Sequence, residues 1–133
     1  MKKVIALTLI MLISGCATGY HKNGLTGGYK ELAYDDNVFE VAFGGNSYTS
    51  SQRVEDLALL RCANLTLKNG FKYFIVSDKL EGKQWFNTKS TVNILIQCFH
   101  EKPAEEGITV YDAAQLRKLL LDKYGLSGDV ERE

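Results

Sequence analysis

The chain has 133 residues, of which 45% are hydrophobic, 24% charged and 11% aromatic, with a single proline. That is the make-up of one globular domain, and it excludes a multidomain assembly or a chain dominated by disorder. Lys and Arg together number 16 and are matched by 16 Asp and Glu; with no basic cluster, nothing in the charge favours nucleic acid as a partner.

Lys2 and Lys3 precede a run of apolar and small residues at 4–13, followed by Ser14, Gly15 and Cys16. These are the three regions of a bacterial export signal. The run is about half the ~20 apolar residues that a membrane-spanning helix needs, and no second candidate follows it. Residues 1–15 are therefore expected to be a signal peptide that is removed. The residues Ile13-Ser14-Gly15-Cys16 resemble a lipobox, the bacterial lipoprotein processing motif. The resemblance implies cleavage before Cys16, a diacylglycerol on its thiol and acylation of the new amino group. Two lipid signals already give stable attachment to a bilayer, so three chains make it essentially permanent. Ala17 follows the cysteine in place of an aspartate, which by resemblance to Gram-negative lipoproteins favours the outer membrane, with the domain facing the periplasm.

Residues 16–28 are glycine-rich and without period, and are expected to form a flexible tether reaching on the order of 20 Å. Residues 29–126 then make the domain and 127–133 a polar tail. Asp35, Asp36 and Asn37 are turn formers between apolar-patterned segments at 29–34 and 38–43, which predicts a β-hairpin. In its second strand Phe39, Val41 and Phe43 alternate onto one face, against Glu40 and Ala42.

Gly44, Gly45 and Asn46 end that strand, and Thr49 with Gln52 has the spacing of a capping box. A helix over about 50–69 is predicted, capped by Thr49 and stopped by Gly70 in a left-handed conformation. Val54, Ala58, Cys62 and Leu65 form one stripe, and Leu59, Leu60, Ala63 and Leu67 a second on the opposite side. One side should cover a sheet and the other should meet a second helix or a partner protein. Residues 71–77 and 91–99 read as strands joined by a polar loop at 78–90; the first is apolar on both faces, as a central strand would be. A charged linker after His100 leads to Asp112 and Gln115, a second cap, and to a helix with Ala113, Leu116, Leu120 and Tyr124 on one stripe, ending at Gly125. The order β-β-α-β-β-α predicts one small α+β domain, a three- to four-stranded sheet with two helices. The final helix is the candidate to cover what the first leaves exposed.

Gly27, Gly28 and Tyr29; Asp35, Asn37, Phe39 and Val41; Gly45, Asn46, Tyr48, Thr49 and Ser50; Ala58, Leu59, Leu60, Arg61 and Ala63; and Gly70, Phe71, Tyr73 and Phe74 follow the pattern GGY, DxNxFxV, GNxYTS, ALLRxA and G[FY]x[YF]F. In this the chain resembles a family of small, uncharacterised Gram-negative lipoproteins. Tyr111-Asp112-Ala113 also resembles that family's C-terminal helix start, so the likeness covers about residues 24–124. It departs at Asn64, where the family looks to prefer an acid. The resemblance implies a location and a fold, and no reaction.

For chemistry, Cys62 and Cys98 are the thiols left once Cys16 carries lipid. A disulfide between them would close a loop of about 36 residues and stabilise by about 3 to 4 kcal/mol, but packed layers about 10 Å apart oppose a helix-to-strand bridge. Both a bond and two separate buried thiols are open. His21 and His100 have no metal-ligand spacing and no triad context, and Asp35 and Asp36 read as turn residues. Gly45, Asn46, Thr49 and Ser50 lie between a strand and a helix start, where free N–H groups can bind an anion, although no phosphate-loop lysine accompanies them. Arg61 is either a snorkelling side chain or the partner of a carboxylate such as Glu40. Trp85 and Phe86 either offer an aromatic contact surface or fold back on the sheet. The expectation is a non-catalytic, lipid-anchored envelope lipoprotein without metal or cofactor that binds another envelope protein. The alternative is a small-ligand or anion-binding module using the turn at 45–50, and a cell-wall hydrolase stands third.

Overall fold

Strands and helices follow one another as β1 (Gly27–Asp35), β2 (Val38–Gly45), α1 (Ser51–Lys68), β3 (Tyr73–Lys83), β4 (Ser90–Phe99), β5 (Val110–Asp112) and α2 (Ala113–Tyr124). The structure, a computed structural model, describes residues 27–45, 49–83 and 90–126. The segment expected to be a signal peptide, Cys16, Asn46, Trp85, Phe86 and the expected polar tail lie outside the described residues. Gly27 and Gly28, assigned above to the tether, already belong to β1.

The sheet has the order β1-β2-β4-β3-β5, with every neighbouring pair antiparallel. The α+β class and the two helices are as the patterning predicts, and the sheet is one strand larger. Val110–Asp112, inside the expected linker, pairs with β3 directly before α2. β4 is the middle strand, and β3 is also an inner strand, paired along its length with β4 and on its outer side with only the three residues of β5. β3 is also longer than expected, taking residues 78–83 from the loop, because its pairing with β4 resumes after a bulge at Ser77. With β4 between them, β2 and β3 run parallel and α1 is the crossover.

Period-2 burial decides which face of the sheet is covered. Phe39, Val41 and Phe43 on β2 and Val92, Ile94, Ile96 and Cys98 on β4 are all buried, each aliphatic or aromatic side chain contributing about 1.5 to 3 kcal/mol. Across them lies α1, buried almost all round through Val54, Leu57, Ala58, Leu60, Cys62, Ala63 and Leu65. Its second stripe meets α2, which buries Ala113, Leu120 and Leu121. Both helices therefore sit on one side of the sheet, and the second apolar side of α1 is covered within the chain.

Ser50, rather than Thr49, caps α1, its Oγ accepting from the Arg53 N–H at 3.2 Å. Gln52 does not reach back to the cap; its Nε2 donates to Asp56 at 3.0 Å instead. Gly70 adopts φ 84° and ends the helix as expected, with the Phe71 N–H on the Thr66 carbonyl and the Gly70 N–H on that of Leu67. Asp112 caps α2 through the Gln115 N–H at 3.1 Å, and Gly125 stops it at φ 61°.

Three polar contacts lock α1 into this layer. Arg61 pairs with Glu31 on β1, not with Glu40, because Glu31 shares the covered face and Glu40 points the other way. Asp56 is buried and accepts from Gln52, from Lys123 at 2.7 Å and from the Tyr124 hydroxyl. Asn64, also buried, accepts from the Arg117 Nε at 3.0 Å. No helix among the described residues is long and apolar enough to cross a membrane.

Candidate functional site

Both helices occupy one face, and among the described residues nothing covers the opposite face of the sheet. In antiparallel sheets with one face in water the outer positions are normally polar. Here Leu32, Tyr34 and Leu80 are exposed by 56%, 60% and 65%, which makes this face unusual. The pairing register explains how they come to be there.

β3 carries Phe74 and Val76 opposite Cys98 and Ile96, on the helix side. Simple alternation would send residue 78 to that side too. The register shift between Val76 and Asp78 inserts Ser77 and inverts the parity, so Asp78 pairs with Leu95, Lys79 with Ile94 and Leu80 with Asn93. Lys79 is thereby turned to the helix side, where its Nζ reaches Glu55 of α1 at 2.7 Å and Glu81 at 2.9 Å. Asp78 and Leu80 are turned to the open face. A second shift, between Ala33 and Asp35, leaves Tyr34 at the bulged position of β1.

The two bulged segments wall a groove of about 380 Å³, between Tyr34 on one side and Asp78 and Leu80 on the other. Val38 and Glu40 of β2 and Asn93 and Leu95 of β4 form its floor. A volume of this order is at the small end of ligand-sized clefts. The Tyr34 hydroxyl donates to Glu40 at 2.6 Å, and Asn93 Nδ2 donates to the other carboxylate oxygen at 3.4 Å. The bond to Glu40 and that group's charge push the Tyr34 hydroxyl pKa up from its ordinary value, so Tyr34 remains a neutral donor. Asp78 accepts from the Lys79 N–H at 2.8 Å. The floor and walls thus combine apolar side chains with two carboxylates.

The residues singled out from the sequence lie elsewhere. Gly45 is buried where β2 meets α1: a Cβ there would stand 2.7 Å from Val54 Cγ2 and 2.8 Å from Thr49 Cβ, so close packing requires the glycine. Thr49 is buried beside it and Ser50 is spent on the helix cap. The hollow next to this turn, about 210 Å³, is lined by Ser51, Glu55, Glu81 and Ser90 among others. Ser51 and Ser90 share a hydrogen bond at 3.0 Å, and the two glutamates are paired with Lys79.

Cys62 and Cys98 are both free and buried. Burial pushes both thiols up, Cys62 well above its ordinary range, and Thr66 Oγ1 lies 3.4 Å from the Cys98 sulfur. His100 stacks on Phe71 with ring centroids 4.5 Å apart and faces the Gly70 carbonyl. Among the described residues no cluster of three or more His, Cys, Asp or Glu side chains is placed to hold a metal ion.

Alternation alone could not reveal the groove, because two bulges build its walls. One signal was present: Leu95 stands out of phase between Asn93 and Gln97, an apolar residue on the polar side of β4. No family model matches the chain, no curated protein matches it, and no solved structure does.

Proposed function

We propose that the protein is a non-catalytic lipoprotein, held on the outer membrane by lipid on Cys16, whose periplasmic domain docks another envelope protein on the open face of its sheet. The observation that carries the docking is the apolar groove between the two bulges, continued by exposed Leu32. Contiguous apolar surface of this kind marks interaction sites in soluble domains. The export signal and lipobox resemblance support the anchor. An anion at the 45–50 turn is the weaker reading, since Glu55 and Glu81 in the neighbouring hollow oppose a negative charge.

The test places a photoreactive amino acid at Leu32, at Leu80 or at Leu119, the last exposed on α2, in cells that make the protein. One discrete adduct common to Leu32 and Leu80, absent from Leu119 and lost in Cys16→Ser, is expected. Equal adducts from all three positions, or none from the sheet face, would sink the docking site. An unmodified Cys16 in the mass spectrum of the intact protein would sink the anchor.

A further inference from the structure

The open face also narrows what its partner carries. Glu40 on β2 and Asp78 on β3 both pair with Leu95 on β4, so two carboxylates flank one leucine. Their Cα atoms stand about 10 Å apart by the spacing of strands. Leu32 pairs with Glu40 from β1, giving a row across the sheet of Leu32, Glu40, Leu95 and Asp78.

Among the described residues neither carboxylate meets a cation. Glu40 accepts only from Tyr34 and Asn93, and Asp78 only from the Lys79 backbone. Lys79, the nearest base in sequence, is carried to the helix side by the Ser77 bulge and held there by Glu55 and Glu81. The one basic residue on this face among the described strand residues is Lys30, which pairs with Ala42 beyond the groove. The groove is therefore apolar with unmatched negative charge at its centre.

Resting on the docking reading above, we infer that the occupant is a segment of a partner protein that lays an arginine or lysine across Leu95, between Glu40 and Asp78. Its apolar neighbours pack on Val38, Leu80 and Leu32. Once water is excluded by those contacts, the attraction between the cation and two carboxylates strengthens, and it fixes the register of the bound segment. A second copy of this chain seated about a two-fold axis through Leu95 would set carboxylates against carboxylates, which disfavours that occupant. An anionic lipid surface is repelled by the same two charges.

The experiment uses the photoreactive residue at Leu32 in cells, with Glu40→Gln and Asp78→Asn introduced singly and together. The double variant is expected to lower the adduct at least about tenfold, and each single variant less, with melting temperature unchanged. The adduct peptide, released by a protease that does not cut at Lys or Arg, should hold a basic residue within a few positions of the cross-link. If the adduct survives the double variant undiminished, or maps to a segment without Lys or Arg, the charge inference is overturned while the docking face stands. If wild type gives no adduct from Leu32, both fall. Where the double variant melts lower, Glu40→Lys with Asp78→Lys in the presence of an exogenous acidic counterpart of the mapped segment, Arg or Lys replaced by Glu, separates the cases. Recovered cross-linking supports the inference and its absence overturns it.

Discussion

Arg61 on α1 and Glu31 on the edge strand β1 meet at 2.7 Å, the guanidinium 2% exposed and stacked 4.4 Å above the Tyr29 ring. One side chain thus ties the outermost strand to the crossover helix. Arg61→Ala should cost about 2 to 3 kcal/mol, since a buried guanidinium, its bond to the partly exposed Glu31, its packing and the ring contact all go. Glu31→Ala should cost about 2 kcal/mol, because it withdraws a carboxylate from a guanidinium that stays buried. Urea unfolding followed by circular dichroism measures both, and losses below about 0.5 kcal/mol, typical of a surface pair, would count against this account.

Asp56 makes stability depend on acid. Burial alone would raise its pKa, but hydrogen bonds from Lys123, Tyr124 and Gln52 outweigh that and hold the carboxyl below its ordinary value. A folded pKa below the unfolded one contributes stability that is complete above the ordinary aspartate value of about 4 and is lost as pH falls through the folded value. Wild type should therefore melt well above Asp56→Asn at pH 6, and the gap should close as pH falls below about 4. A gap that stays constant from pH 6 down to acid would remove this role from Asp56.

Gly45 and Gly82 offer a matched pair. A Cβ at Gly45 would overlap Val54 and Thr49, whereas at Gly82 the nearest atom, Thr91 Oγ1, is 3.4 Å away. Gly45→Ala should cost about 1 to 3 kcal/mol through overpacking, and Gly82→Ala should stay within about 0.5 kcal/mol of wild type. Equal effects in thermal melts would mean that β2 and α1 are not in such close approach.

The thiols of Cys62 and Cys98 should be silent in the folded protein, since both are buried and protonated far above neutral pH. Labelling by a thiol reagent is expected only on unfolding, when both react without added reductant. Two thiols that remain unreactive in denaturant until a reductant is added would show a disulfide instead.

Leu80→Ser should leave stability within about 0.5 kcal/mol of wild type, because the side chain is exposed and covers nothing. The same change should diminish cross-linking from Leu32. A variant that melts far lower would place Leu80 in the core and remove it from the groove.

The patterning of this chain made much of the fold legible. Phe39, Val41 and Phe43 announced the covered face of β2, Asp35 to Asn37 the hairpin turn, and Gly70 and Gly125 the helix stops, because each follows from local geometry. The double-sided apolar character of α1 required a layer above it, and α2 supplies that layer. Ser50 displaced Thr49 as the cap because backbone position, not residue type, decides between adjacent hydroxyl residues. β5 was hidden in a charged linker, since three residues carry no detectable period.

The groove belongs to the other category. Alternation places Leu80 and Lys79 by counting, and a single inserted residue reverses the count; pairing with β4 sets that register, and the strand's own sequence does not announce it. Glu40 and Asp78, 38 residues apart in the chain, share a row only because β4 slots between β2 and β3. What the sequence by itself determined was most of the elements and the face each would bury, all read from neighbours along the chain. Only the tertiary structure decided which strand is central, which carboxylate meets Arg61 and which side chains face outward together, because strand order and register depend on hydrogen bonds between distant segments.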